Sequence, residues 1–126
     1  LNMLSELLNE EIIQVVGVTH KNIFLLKKNE HKSPGRTRGK NVSVVLGLGD
    51  YPGNCSVVSD FLFSTKDTKL LRHRLRSVII HEIGHNLGLD HCVFDKCIMS
   101  EENSKIHVLD NSRNDYCDRC KSKLDH

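Results

Sequence analysis

The sequence predicts an α/β (α+β) fold, with a mixed, mostly parallel, twisted sheet and helices packed on it. Four apolar, β-branched segments have the pattern of strands, and they lie between two segments whose apolar residues recur at helical spacing. With 126 residues, of which 38% are hydrophobic, the chain is long enough for a single domain with its own core.

The first part of the chain is predicted to hold a helix and two strands. Leu1, Leu4 and Leu8 recur at helical spacing, so residues 1–11 are predicted to be the end of a helix. Residues 12–18 have the composition of a buried strand, and residues 23–26 form a second, shorter one. The segment lacks the regions of a secretory signal, and its first residue is leucine, as in a fragment.

Residues 27–40 change composition sharply, with six basic residues against one acidic residue. We interpret them as a solvated surface loop, because no aromatic residue accompanies the charge. Contact with nucleic acid or an acidic substrate is the alternative. The net charge is only +2 and no apolar run approaches the length of a membrane span, so we expect neither a nucleic-acid nor a membrane partner.

Two further strands precede a long amphipathic helix. Residues 42–48 are a strong strand prediction, a glycine-rich bend follows, and residues 55–63 form the last strand. In the helix, Leu75 and Ile79 belong to an apolar stripe, whereas His81 and His85 lie nearly opposite. The helix is therefore expected to pack one side on a core and to face a cleft with the other. Its N-cap is expected among Ser64, Thr65 and Asp67.

Residues 81–91 read HEIGHNLGLDH, a spacing that suits zinc-dependent hydrolysis. His81 and His85 share a helix face, and Gly88 can end the helix so that His91 returns as a third imidazole. Three histidines leave one position of a zinc tetrahedron open for water, and Glu82 could act on that water as general base. The alternative is an amphipathic helix with surface histidines.

Four of the five cysteines are clustered near the C-terminus, with the spacing of a closed, structural four-thiolate zinc site: Cys92, Cys97, Cys117 and Cys120. Such a site would supply folding free energy to a segment with few large apolar residues. Two disulfides or a redox-active CxxC pair are the alternatives. The odd cysteine count argues against a disulfide framework and favours a reducing compartment, most simply the cytoplasm. Cys55 is expected to be a free, buried thiol.

The whole pattern, HExxHxxGxxHCx4CxMx17CxxC, resembles the archaemetzincin family of zinc metallopeptidases. The resemblance is strict over residues 81–120 and looser upstream. It implies a metzincin-like fold in which Glu82 is the general base and Met99 is the Met-turn methionine beneath the catalytic metal. It also implies that residues 55–60 form the sheet edge along which an extended peptide lies. The implied ligands are His81, His85 and His91 for a catalytic zinc, and Cys92, Cys97, Cys117 and Cys120 for a structural zinc.

We therefore expect a monomeric zinc metallopeptidase that binds two zinc ions per chain and hydrolyses a peptide or protein substrate through a metal-activated water. Residues 1–126 are expected to form one domain, with the sheet and active-site helix in 1–91 and a C-terminal subdomain in 92–126. The competing hypothesis is a non-catalytic zinc-binding adaptor, or a nucleic-acid- or protein-binding module, with a degenerate protease site.

Overall fold

The computed structural model of the protein describes residues 2–6, 14–27 and 41–124. Its helices and strands, in chain order, are α1 (Asn2–Ser5), β1 (Val15–Thr19), β2 (Ile23–Lys27), β3 (Asn41–Val45), β4 (Gly47–Gly49), β5 (Cys55–Ser59), α2 (Thr68–Asn86), α3 (Ile106–Asp110) and α4 (Asp118–Leu124). Two 3₁₀ helices occupy Phe61–Phe63 and Glu101–Ser104. The predicted helix end at residues 7–11, the strand start at 12–13 and residues 28–40 of the predicted basic loop lie outside the described residues, whereas Lys27, expected in that loop, is the last residue of β2.

In the described ranges, β5 is the centre of a three-stranded mixed sheet with the order β1-β5-β4. β1 pairs with β5 in parallel, whereas β4 pairs with β5 in antiparallel orientation, and β2 and β3 form a separate antiparallel pair. The predicted mixed sheet of an α/β fold is confirmed. Parallel pairing is less frequent than expected, because the short connection between β4 and β5 returns the chain antiparallel.

The third and fourth predicted strands are shorter than the sequence suggested. The expected strand at 42–48 is interrupted at Leu46, whose carbonyl accepts a hydrogen bond from the Ser59 N–H (2.9 Å). β3 pairs with β2, whereas β4 pairs with β5, so the break lies where the chain changes its partner strand. The expected strand at 55–63 ends at Ser59, and the chain turns into the 3₁₀ helix that buries Phe63 completely.

The long helix α2 packs against β4 and β5. Among the three expected caps, Asp67 is the N-cap, and its carboxylate accepts a hydrogen bond from the Leu70 N–H (3.1 Å). Leu87, just past the last turn, is exposed. The core between α2 and the sheet is formed by Val58, Phe63, Val78 and Leu109, with Val16, Leu46, Leu71, Leu75 and Ile79 packed against it.

Arg74 of α2 joins two other elements to the helix. Its guanidinium donates two hydrogen bonds to the Asp110 carboxylate in α3 (2.6 and 2.9 Å) and one to the Phe63 carbonyl (2.8 Å). The Arg74 side chain is only 11% exposed. Because this ion pair is bidentate and largely shielded from solvent, it orients α3 on α2 more strongly than a surface pair could.

The segment after α2 has its own small core and little regular structure. This second core comprises Leu89, Cys97, Ile98, Met99 and Cys120. Tyr116 connects it to α2, because its hydroxyl donates to the Ile80 carbonyl (2.8 Å). No helix in the described part of the chain is both long and apolar enough to cross a bilayer.

Candidate metal centres and active site

The C-terminal end of α2 is built to turn the chain back toward the helix. Leu87 is the C-cap, and Gly88 follows with a φ of +95°, a conformation that costs glycine little. The Gly88 N–H donates to the His85 carbonyl (3.0 Å) and the Leu89 N–H donates to the Gly84 carbonyl (2.9 Å). These two bonds are those of a Schellman motif, and they direct the following residues, including His91, back beside α2.

The structure brings the three predicted histidines together. The ring centroids of His81 and His85 are 4.8 Å apart, and that of His91 lies 5.3 Å and 4.9 Å from them. The candidate ligand atoms of the three side chains all lie within 4.8 Å of one another. Their role as metal ligands stays a prediction, but their arrangement is that of a triad open on one side.

The hydrogen bonds of His81 and His85 leave their Nε2 atoms available for a cation. His81 Nδ1 lies 2.7 Å from the Ile98 carbonyl oxygen, and His85 Nδ1 lies 2.8 Å from that of Leu89. A carbonyl only accepts, so each Nδ1 carries the proton and each neutral ring presents a lone pair at Nε2. The two Nε2 atoms are 3.2 Å apart, close to the roughly 3.3 Å between nitrogen ligands of a tetrahedral zinc.

Burial keeps these imidazoles neutral. It lowers the pKa of His81 to about 4, and it also lowers the pKa of His85. A neutral imidazole is the form that binds a metal ion. The converging lone pairs are therefore available to a cation near neutral pH.

Glu82 lies beside the histidines and is buried. It accepts no side-chain hydrogen bond from the described residues, and burial raises its pKa to about 7. A β-carbon on Gly47 of β4 would lie 2.8 Å from Glu82 Cγ and 2.9 Å from Oε1. The carboxylate therefore lies between α2 and β4, in a space that only glycine at position 47 leaves open.

Both the histidines and Glu82 line a cleft of about 640 Å³. One wall is the segment 43–49, which includes β4, and the floor includes Val78 and Leu109. Tyr51 stands at the rim, edge-on to the His85 ring at 6.0 Å, and its hydroxyl donates to the Gly88 carbonyl (3.2 Å). Hydrogen bonding to Asp90 raises the pKa of Tyr51. The carboxylates in the lining are Glu82, Asp90 and Glu101.

The four clustered cysteines also converge. Cys92 Sγ and Cys117 Sγ are 3.8 Å apart, and Cys97 Sγ and Cys120 Sγ are 3.7 Å apart. These distances exceed the roughly 2 Å of a disulfide and match the about 3.8 Å between thiolates of a tetrahedral zinc. The fifth cysteine, Cys55, is a free and buried thiol in β5, as predicted.

The thiols of the cysteine cluster differ in how readily they ionise: burial raises the pKa of Cys97 and that of Cys120. Backbone N–H groups of Met99 and Cys117 donate to Cys97 Sγ (3.4 and 3.3 Å). Burial opposes ionisation of Cys117, but hydrogen bonds from the Cys120 N–H and the neighbouring thiols lower its pKa to about 7. The donor set, its spacing and its N–H contacts therefore fit a structural zinc.

Met99 is fully buried, and it packs against Gly84 of α2. Gly84 lies between His81 and His85 in the sequence. A β-carbon on Gly84 would lie 2.3 Å from Met99 Sδ and 3.1 Å from a ring carbon of Tyr116. The glycine thus allows the methionine to approach the helix closely. This position is compatible with the predicted floor beneath the histidines.

Asn86, which the sequence analysis missed, is the buried polar centre beneath the site. Its Nδ2 donates to the carbonyls of Asp50 (2.7 Å) and Cys55 (3.0 Å), and its Oδ1 accepts from Ser56 Oγ (2.5 Å) and Gln14 Nε2 (2.8 Å). All four bonds join the end of α2 to the sheet and its loops. The only sign in the sequence that Asn86 belongs near the site was its position directly after His85.

The predicted substrate edge is wrong in its position. Residues 55–60 were expected at the sheet edge, but β5 is paired on both sides, because β1 and β4 flank it. The edge that borders the cleft is β4, which pairs only with β5 in the described sheet.

The sequence matches peptidase family M54 over residues 2–126. It is 33% identical over 109 residues to the archaemetzincin of Archaeoglobus fulgidus, which covers 86% of this chain and 58% of that protein. The crystal structure of archaemetzincin from Methanopyrus kandleri aligns with a TM-score of 0.73 at 27% identity, over 98% of this chain and 61% of that one.

A second solved structure, the A. fulgidus archaemetzincin complexed with malonate, aligns with a TM-score of 0.66 at 33% identity, over 94% of this chain and 64% of that one. The chain spans about three fifths of the length of the relatives that it matches.

Proposed function

Because the chain belongs to peptidase family M54, we propose that it is a zinc metallopeptidase that hydrolyses peptide bonds in peptide or protein substrates. The observation that carries the proposal is the triad of imidazoles beside a buried carboxylate on the wall of a cleft. The archaemetzincin relatives support it. The alternative, a binding module with a degenerate site, predicts neither the free carboxylate nor the space that Gly47 keeps for it.

In the proposed mechanism, His81, His85 and His91 hold the catalytic zinc. Zinc bound there would acidify a water molecule and polarise the scissile carbonyl. Glu82, next to the triad and without a protein partner among the described residues, accepts the proton of the attacking water as general base. It then delivers that proton to the nitrogen of the leaving amine, so the carboxylate is regenerated at the end of the cycle.

The proposal includes a second zinc ion in the four-cysteine site, held by Cys92, Cys97, Cys117 and Cys120. Four thiolates fill a tetrahedron, so this ion has a structural role. It would fix the segment after α2, whose core is small, and with it the position of Met99. We accordingly propose that residues 1–91 and 92–126 are parts of one domain with two zinc ions.

We propose that an extended peptide binds antiparallel to β4, whose outer edge borders the cleft. Among the described residues of the cleft lining, three are carboxylates and none is lysine or arginine. The remaining lining is largely apolar, with Leu48, Leu62 and Val78 among its members. Peptides with apolar and basic side chains are therefore favoured over acidic ones.

We also propose that the protein works as a monomer in the cytoplasm. The support for the cytoplasm is chemical, because clustered thiols 3.7 and 3.8 Å apart stay reduced, and so able to bind zinc, most simply in a reducing compartment.

The test is metal content measured together with cleavage of an unbiased peptide library. We expect two zinc ions per chain and cleavage that a chelator abolishes by removing one ion, with recovery when zinc is added back. The three-histidine site should lose its ion first, because its open position exposes the metal. A zinc-loaded protein that cleaves no member of the library would overturn the proposed activity.

A further inference from the structure

Asn103 is a buried asparagine in the 3₁₀ helix Glu101–Ser104. Its Nδ2 donates two hydrogen bonds, to the carbonyl oxygens of Cys97 and Ile98, both at 2.9 Å. Its own N–H donates to the Ser100 carbonyl (3.2 Å), and the Ser100 hydroxyl caps the short helix. The amide is thus fixed at both its backbone and its side chain.

The two carbonyls that Asn103 holds belong to the two candidate metal centres. Cys97 is one of the four clustered thiols, and its carbonyl is the first acceptor. The Ile98 carbonyl is the second, and it is also the acceptor of the proton on His81 Nδ1, at 2.7 Å. The Asn103 side chain therefore contacts the backbone of Cys97, a candidate zinc ligand. It also contacts the Ile98 carbonyl, which is the hydrogen-bond partner of His81.

The role of the Ile98 carbonyl is to set the tautomer and ring orientation of His81. While it accepts from Nδ1, the lone pair lies on Nε2 and faces His85. Cys97 and Ile98 lie in a turn, here called the 97–98 turn. If this turn shifts, the Ile98 carbonyl shifts with it. The position of that turn depends on Asn103 on one side and on the cysteine cluster on the other, since the Met99 N–H also donates to Cys97 Sγ (3.4 Å).

We propose that Asn103 is a positioning residue that couples the three-histidine site to the four-cysteine site. The inference rests on the two zinc centres proposed above. Metal in the cysteine site orders the 97–98 turn, Asn103 holds both of its carbonyls, and Ile98 then presents His81 to the second metal. Coupling of this kind is reciprocal, so occupancy of either site raises the affinity of the other.

A second connection between the sites does not involve Asn103. Cys92 follows His91 directly in sequence, and the Cys92 N–H donates to the Met99 carbonyl (2.9 Å). This backbone connection persists in any variant of Asn103. A test must therefore separate the contribution of the amide from that of the backbone.

The sharpest variant is Asn103→Asp, which keeps the size of the side chain but replaces the donor with an oxygen facing two carbonyls. The matched control is Asn111→Ala, because Asn111 Nδ2 also donates to a backbone carbonyl, that of His107 (2.7 Å), but it is exposed and touches neither site. The measurement is the zinc Kd of the three-histidine site in the full chain, obtained by chelator competition.

We expect Asn103→Asp to raise this Kd by roughly 10- to 100-fold, the usual effect of losing a partner outside the ligand shell. Asn111→Ala should leave it unchanged. Cobalt substitution gives a second readout, since thiolate and imidazole sites absorb differently. The imidazole-site spectrum should change in Asn103→Asp while the thiolate-site spectrum persists, which a general loss of stability would not produce.

The coupling itself is measured by adding Cys120→Ser to both backgrounds. In the wild-type background, loss of the cysteine-site zinc should weaken the histidine site, and in Asn103→Asp this further effect should be smaller. An equal effect in both backgrounds would assign the coupling to the His91–Cys92 backbone and overturn the proposal. If Cys120→Ser does not fold, the comparison of Asn103→Asp with wild type decides alone: an unchanged Kd in a folded Asn103→Asp protein overturns it.

These outcomes are separable from those of the proposed activity. A wild-type protein that binds zinc at the three histidines but cleaves no peptide refutes the peptidase and leaves the Asn103 comparison intact. A wild-type protein that binds no zinc there refutes both.

Discussion

Glu82 lies so close to Gly47 that a β-carbon at position 47 would stand 2.9 Å from its Oε1. The two residues are on different elements, α2 and β4, which pack against each other. The glycine therefore belongs to the proposed active site through its lack of a side chain. It defines where the carboxylate can rest.

Gly47→Ala should displace the Glu82 carboxylate without removing a ligand candidate. We expect the zinc content to stay the same and kcat to fall by roughly 10²-fold, because a displacement of about 1 Å is enough to misplace a catalytic group. Steady-state kinetics with metal analysis measures both. Gly17→Ala is the control, since its β-carbon would meet only the flexible Leu4 side chain, at 3.2 Å. Equal rates for wild type and Gly47→Ala would refute the placement of Glu82.

Cys55 and Cys120 are both buried cysteines, but only Cys120 lies in the four-thiol cluster. We expect Cys55→Ala to retain two zinc ions per chain, and Cys120→Ser to lose the structural ion and much of its stability. Elemental analysis and urea unfolding check the two effects. Loss of zinc from Cys55→Ala would show that the ligand set is assigned incorrectly.

Glu82 should also determine how many protons leave when zinc binds. Without metal, burial raises its pKa to about 7, so the carboxyl is mostly protonated at lower pH. A cation at the neighbouring histidines favours the charged form, so zinc uptake at about pH 6 expels this proton. His81, whose pKa is lowered to about 4, is already neutral and adds little.

Wild type should therefore release more protons per zinc than Glu82→Gln at about pH 6, and the difference should vanish at about pH 8. Titration of metal-depleted protein in weakly buffered solution measures it. Zinc binding at the cysteine site releases the same number of protons in both proteins, so it does not affect the difference between them. Identical release at the lower pH would mean that Glu82 does not sense the metal.

The parts of the site that sequence predicts are those set by local spacing. His81 and His85 converge because they are four residues apart on a helix, and Gly88 returns His91 because its positive φ ends that helix. The cysteines follow this logic only in part, because the CxxC spacing of Cys117 and Cys120 is local, whereas each of the two approaches a cysteine more than 20 residues earlier in the chain. The resemblance to the family, together with these local relations, predicted the α/β fold and its long helix.

The parts that sequence missed depend on contacts between distant segments. The predicted strand breaks at Leu46, where the chain leaves its pairing with β2 and begins its pairing with β5, and the apolar pattern of residues 42–48 contains no sign of that break. Because β4 pairs with one side of β5 and β1 with the other, β4 and not β5 lies at the edge of this described sheet. Asn86 and Asn103 are polar residues whose burial depends on carbonyls elsewhere in the chain, and periodicity does not reveal such partners.

The central claim is tested most directly by Glu82→Gln, measured for zinc content and peptide cleavage in the same preparation. The change keeps the size and polarity of the side chain and leaves all three histidines in place. The account predicts two zinc ions per chain and a rate lowered by roughly 10²-fold or more, whereas Glu102→Gln, outside the cleft and paired with Lys105, should match wild type. A zinc-loaded Glu82→Gln protein that cleaves peptide as fast as wild type would contradict the account.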